Sequence, residues 1–404
     1  MDLFDPRILQ MLTFLTRHQA WLSPYEISRT FHPDGSDTTA RTIHRWFHFL
    51  REHGSFVYYP YPKANALGLQ DVLVRIHDTR NPGILGVLPF AASFNVEVGL
   101  GTGEPFVSQG YWVPGEAMEG FREYWRAARD LGLVGEVEVF PARNTHFVYS
   151  PFERLIQGNG DAELRGPVDN GHFHALLRRN LRGKFEVRVG ERVAKSPLII
   201  PIVVEHIWAH FSSRQVWQAI REAGEARLRP FAKGAMAHAL DRPGAALRLL
   251  QQQWTDLVRD YDEVFLQPRV LFDWTAVRKS MWISLVLRTG STEKMIEAAV
   301  QASRLSILTQ LKPGVEFDER CHILCWLPSE QLPSLLKVVR AYHQGFDPPT
   351  VAVQDKEATM ALFQPSFCKV DWRLFDPATL SWGFDEDVYA EKLKALAQDP
   401  RTVR

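Results

Sequence analysis

The sequence predicts an α+β fold: a winged helix-turn-helix joined to a ferredoxin-like βαββαβ module, the pair repeated in tandem with a degenerate second winged helix. Three observations carry this. Residues 5–59 read as three short amphipathic helices followed by a β-prone ribbon. Residues 67–145 alternate in the order strand, helix, strand, strand, helix, strand. The segment Gly110-Tyr111-Trp112-Val113-Pro114-Gly115-Glu116 is echoed by Leu324-Cys325-Trp326-Leu327-Pro328-Ser329-Glu330, and the same element order recurs around the echo.

The first helix opens with Asp5 as cap and Pro6 at its first position, and places Ile8, Leu9, Leu12 and Leu15 on one face. Ser23-Pro24-Tyr25-Glu26 has the capping-box pattern and opens a second helix with Ile27 and Phe31 inward. His32 to Ser36 forms a turn, and Asp37 caps a third helix whose apolar face is Ile43, Trp46, Phe47 and Leu50. Gly54 stops it. Phe56 to Tyr59 is β-prone, and a strand resumes after Gly68. Val72, Val74 and Ile76 alternate as that strand, and Arg80 to Phe90 is a weak helix because it holds Pro82 and Gly83. Strands at 94–98 and 107–113 flank a glycine-rich turn. A helix with Met118, Phe121, Trp125 and Ala128 inward and a strand at 134–140 complete the module.

The second half repeats the plan. Strands are expected at 281–287, 306–308, 321–327 and 350–353, with helices at 292–303 and 332–343. Before them, helices at 199–211, 213–222 and 244–258 and a ribbon at 264–270 match the first head loosely. The alternative for 151–270 is a helical linker. Residues 227–240 are an insert. The expected domains are a winged helix over 1–66, a ferredoxin-like module over 67–150, a basic helical linker and degenerate winged helix over 151–275, and a second module with an extension over 276–404. Residues 363–375 are aromatic and extend the second sheet, and 386–398 is a closing helix.

Composition narrows the function classes. At 404 residues, 45% hydrophobic and 23% charged, the chain has room for two to four globular units. It has no apolar run of membrane-spanning length, and Met1-Asp2-Leu3-Phe4-Asp5 lacks a signal peptide's basic start, so a cytoplasmic protein with no membrane partner is expected. Three cysteines exclude a disulfide framework. The 47 basic residues are matched by 47 acidic ones, so a nucleic-acid contact must be local. Residues 151–250 are the basic stretch, with 16 Lys or Arg against 10 Asp or Glu.

Several motifs together resemble a known family. Leu50-Arg51-Glu52-His53-Gly54, the ribbon through Tyr59, Leu67-Gly68-Leu69 and the strand Val72 to Ile76 are similar to the Lrp/AsnC family of bacterial and archaeal regulators. Thr102-Gly103-Glu104, with the strand into Val113-Pro114, resembles that family's Thr-Gly-acid turn, with Phe106 where an Asp is usual. Pro313-Gly314-Val315-Glu316-Phe317-Asp318 is a looser version. The resemblance implies a transcription regulator that binds double-stranded DNA and has no cofactor. It also implies a small-molecule effector at Thr102, Gly103 and Glu104, and self-association as a homodimer or higher oligomer. On this reading the chain is not an enzyme, and its two modules pair as two subunits do. Two alternatives stand beside it. Sirohaem decarboxylases share the tandem plan and hold a tetrapyrrole, and a protein-interaction scaffold would have lost DNA binding.

The residues themselves point to the third helix. Thr38, Thr39, Arg41, Thr42 and Arg45 lie off its apolar face in its first two turns, where a recognition helix meets base edges. Tyr58, Tyr59 and Lys63 on the ribbon are candidates for the sugar-phosphate chain. Arg178, Arg179, Arg182 and Lys184 form a second basic patch, read either as a phosphate contact or as a solvated helix. Helix 244–258 offers one arginine, so weak or no DNA binding is expected of it. His172 with His174 and His206 with His210 have ligand-like spacing, but no pattern joins them to further ligands, and Cys321 with Cys325 lacks a second pair, so no metal is expected. Gly99 to Gly103 leads into a strand rather than a helix, so no nucleotide loop is read there.

Overall fold

The computed structural model describes the chain apart from residues 1–4, 19–20, 55–56, 144–146, 151, 158–161, 165–169, 182–184, 209–212, 223–224, 233, 266–268, 272–279, 316–319, 365–366 and 400–404. The protein is an α+β fold whose chain divides into two compact units, each made of three separated segments. The first holds residues 1–61, 145–184 and 265–353. The second holds 62–144, 185–264 and 354–404.

In the first unit, helices Pro6–Arg17, Pro24–Thr30 and Ala40–Gly54 form a trihelical head. Each start has a chemical reason. The Asp5 carboxylate accepts the Arg7 N–H at 2.9 Å, and Ser23 and Glu26 exchange bonds in the expected capping box. The third helix is capped by Thr39 rather than by Asp37. The Thr39 hydroxyl sits at the cap position and accepts the Thr42 N–H at 3.2 Å, whereas Asp37 lies exposed, 3.6 Å from His32 Nδ1.

Behind the head, one apolar cluster joins Leu12, Ile27, Ile43 and Leu50 to Val270 and Trp326. The strand Val57–Tyr59 pairs antiparallel with Arg269–Leu271, and Tyr58 lies opposite Val270. Between this ribbon and the strand that resumes after Gly68, where the sequence predicts a turn, a 3-10 turn at Ala64–Ala66 and a positive φ of 79° at Gly68 redirect the chain before Leu69.

The remainder of the first unit is a βαββαβ module. Its sheet runs in the order Thr350–Asp355, Ser280–Arg288, Arg320–Pro328, Leu308–Pro313, with Phe147–Tyr149 added beside the last. Helices Thr292–Leu305 and Leu332–Tyr342 bury Ile296, Ala299 and Leu335 against Ile283, Leu285 and Ile323. Helix Gly171–Leu181 adds Phe173 and Leu177 to the same core.

The second unit repeats the topology. Its sheet order is Val137–Ala142, Leu69–His77, Pro105–Pro114, Ala91–Gly99, the same fourth-first-third-second arrangement. Helix Met118–Asp130 buries Phe121, Tyr124 and Trp125. The first helix has shrunk to the 3-10 segment Pro82–Gly86, because Gly83 and Gly86 weaken a helix and Pro89 stops it soon after. The sequence echo falls on equivalent strands. Trp112 is paired with Asp71 and Trp326 with Trp282, and each of these strands ends in a proline followed by a short 3-10 turn.

Residues 185–264 add the helices Ile199–Trp208, Ser213–Glu222 and Pro243–Arg259, which pack on one another. The insert forms Glu225–Leu228, a 3-10 turn at Arg229–Phe231, and Ala235–Ala239. In the last segment, helix Glu386–Ala397 packs on Met118–Asp130, and Phe375–Asp376 pairs with Ser381–Trp382 in a short hairpin. No helix among the described residues is long and apolar enough to cross a membrane.

The third helix gives a direct stability test. Ile43 is fully buried, so Ile43→Ala should destabilise the fold by about 2–5 kcal/mol, while exposed Arg41→Ala should change it by less than about 0.5 kcal/mol. Urea unfolding of both variants beside the wild type checks this.

Candidate nucleic-acid interface

The third helix of the first unit has two unlike faces. Ile43, Trp46, Phe47 and Leu50 are buried. Arg41, His44, Arg45 and His48 are exposed and recur at spacings of three and four, so they form one stripe along the helix. No acidic residue occurs between Ala40 and Arg51. Glu52 is the first, and its Oε2 lies 3.2 Å from His48 Nδ1. Among the described residues, Arg41 and Arg45 make no ion pair. The stripe therefore presents two permanently charged guanidinium groups without a neutralising carboxylate.

The other expected site residues fall in different settings. Thr38 is buried, with 8% of its surface exposed. The Thr39 hydroxyl, besides capping the helix, lies 3.0 Å from that of Thr42. Tyr58 does not face solvent. Its hydroxyl accepts the Leu22 N–H at 2.8 Å, its ring stacks with Trp21, and burial pushes its phenol well above the ordinary range. Tyr59 pairs through its backbone with Arg269, and its side chain lies outside the described set. Lys63 is half-buried in the second unit, where its backbone N–H donates to the Val264 carbonyl at 2.7 Å.

Of the second basic patch, Arg178 and Arg179 are exposed on helix Gly171–Leu181, and Arg178 pairs with Glu293. Arg182 and Lys184 lie outside the described residues.

Thr102, Gly103 and Glu104 form a tight exposed turn in the second unit. The Gly103 N–H donates to the Gly99 carbonyl at 2.8 Å, the Glu104 N–H donates to the Thr102 hydroxyl at 3.2 Å, and Gly103 has a φ of 71°. A cavity of ≈ 440 Å³ in this unit is walled by other residues, among them Ala66, Arg192, Lys195 and Glu263. Its charges are mutually satisfied. Arg192 Nη1 lies 2.7 Å from Asp260 Oδ2, and Lys195 Nζ lies 2.6 Å from Glu191 Oε1.

The histidine and cysteine motifs are dispersed. His206 stacks on Trp254 with ring centres 3.6 Å apart, while His210 lies outside the described residues. Among the described residues, no group of three or more His, Cys, Asp or Glu side chains is placed to hold a metal ion. Cys321 and Cys325 are buried, and burial pushes both thiols up to about 12.

Sequence reasoning missed one group of exposed cations. Arg221, Arg227, Arg242 and Arg248 stand on the helices and insert of the second unit. The signals for them were the basic excess of residues 151–250 and the one arginine of helix 244–258, Arg248.

The fold and site together define an α+β protein with two ferredoxin-like modules and a trihelical head bearing a basic stripe. No protein family and no curated protein matches the sequence. A solved structure, the crystal structure of the siroheme decarboxylase NirDL, is similar to it. The likeness covers 96% of this chain and 98% of that one, at 9% identity and a TM-score of 0.43. The expectation that the chain is not an enzyme is withdrawn; the structure just named is that of an enzyme.

The buried thiols give a prediction. At pH 8 almost no thiolate is present at Cys321 or Cys325, so iodoacetamide should leave both unmodified in the folded protein and alkylate them in urea. Mass spectrometry of the peptides reads the difference.

Proposed function

We propose that the trihelical head of the first unit binds double-stranded DNA, with helix Ala40–Gly54 as the element that enters the major groove. The stripe Arg41, His44, Arg45 and His48 carries this reading. It is exposed and free of acidic residues, and it is backed by a face too well packed to rotate away. Arginine matches the two major-groove acceptors of guanine, and Thr39 and Thr42 at the helix start suit a phosphate.

On this reading the protein is a sequence-specific transcription regulator of the Lrp/AsnC type that works in the cytoplasm. Its βαββαβ modules serve self-association and respond to a small molecule at the Thr102-Gly103-Glu104 turn. A homodimer would present two heads to half-sites about one helical turn apart.

A second reading, a tetrapyrrole-acting enzyme on the same architecture, is favoured by polar side chains buried in each sheet. In the second unit Arg75 and Glu97 are 2% and 1% exposed. Burial pulls the Arg75 guanidinium down, opposed by the Glu97 and Glu138 carboxylates. In the first unit Lys312 and His322 are buried on neighbouring strands, with His322 Nε2 2.9 Å from the Ser284 hydroxyl. Buried ionisable groups of this kind concentrate at functional sites.

One experiment separates the two. Purified protein is passed over pooled genomic duplex fragments, wild type beside Arg41→Ala/Arg45→Ala, and iron tetrapyrrole is added to a parallel sample. The DNA reading expects a few fragments to be retained selectively and that selection to fall about tenfold or more per arginine removed. Selection unchanged in the variant would contradict it. A Soret shift with no fragment selection would favour the enzyme.

A further inference from the structure

We propose that the helical head of the second unit carries a second nucleic-acid surface, one that grips the phosphate backbone of duplex DNA without reading its bases. The inference rests on the DNA reading of the first head and extends it to an insert that the first head lacks.

Residues 213–259 hold 8 Lys or Arg against 4 Asp or Glu. The fold gathers them. Helix Ser213–Glu222 packs on Pro243–Arg259, Glu225–Leu228 packs on the former, and Ala235–Ala239 packs on the latter. Arg221, Arg227, Arg242 and Arg248 therefore stand on elements in mutual contact, and all four are exposed. Among the described residues none of the four makes an ion pair. Two neighbours do: Arg229 lies 3.8 Å from Asp241, and Arg259 lies 3.1 Å from Asp256.

Helix Met118–Asp130 is the useful contrast. Its arginines are balanced on the spot, half-buried Arg122 by Glu119, and exposed Arg126 and Arg129 by Glu123 and Asp130. That arginine-rich face brings its own carboxylates, whereas Arg221, Arg227, Arg242 and Arg248 of the second head have none paired with them among the described residues.

Phosphate is the ligand that such a surface fits. A guanidinium donates two parallel N–H bonds to phosphate oxygens and keeps its charge at any physiological pH. Base reading is a poor fit. Two short helices and a 3-10 turn replace the tight turn that leads a recognition helix into the groove, and the helix that follows offers only Arg248 in its first two turns.

The test uses the full chain and a fluorescent mixed-sequence duplex of about 20 base pairs, with the binding constant measured over a range of salt. Each phosphate contact contributes about 0.9 to the slope of log K against log salt. Arg227→Gln/Arg242→Gln/Arg248→Gln should make the slope shallower by about two to three, and should leave the preference for a selected fragment intact. Arg227→Lys/Arg242→Lys/Arg248→Lys should keep the wild-type slope. A glutamine variant with the wild-type slope overturns the proposal. So does a lysine variant that loses slope as the glutamine variant does, or a wild type that does not bind. If the slope falls as expected while Arg41→Ala/Arg45→Ala leaves fragment preference untouched, this surface stands and the first head's reading fails.

Discussion

The pairing of Val57–Tyr59 with Arg269–Leu271 is the constraint on which the first unit depends. It joins segments more than 200 residues apart with only three residue pairs. Backbone bonds alone would not hold so short a ribbon. Side-chain burial does, because Tyr58 and Val270 face each other in register and both enter the apolar cluster that carries Ile43 and Leu50. The entropy of closing so long a loop grows only slowly, by about 0.6 kcal/mol per doubling of length, so a compact cluster can offset it. The third helix is fixed by the same cluster, and its polar stripe is thereby aimed.

Local order was legible in the sequence because it depends on neighbours within a few residues. Alternation at Val72, Val74 and Ile76 and helical spacing at Phe121 and Trp125 gave the strands and helices of the modules, and Pro82 with Gly83 marked the helix that shrank. The partner of Val57–Tyr59 was not legible, since nothing near residue 57 encodes a strand at 269. The cap of the third helix was misplaced by two residues. Asp37 and Thr39 are both good caps, and only the position of the first helical turn decides between them.

The candidate site was legible to the same degree. Arg41 and Arg45 followed from the period of the apolar face, because a helix buried on one side must expose the other. Burial of Thr38 did not follow, since it depends on tertiary packing. Nor did the arginines of the second head: they are spread from 221 to 248 in sequence and are gathered only by the packing of three helices and an insert. The buried Arg75, Glu97, Lys312 and His322 were also out of reach, because in sequence Arg75, Glu97 and His322 read as ordinary polar positions on strands and Lys312 as part of a turn.

The central claim, that the polar stripe of the third helix meets DNA, can be tested on the stripe itself. His44 and His48 are exposed reporters lying between and beside its arginines. Their carbethoxylation rates, read by mass spectrometry, would be compared for the free protein, the protein with a selected duplex, and the protein with iron tetrapyrrole. The account predicts that the duplex slows both histidines and that the tetrapyrrole leaves them unchanged. Equal rates with and without duplex, under conditions where the duplex is bound, would contradict it.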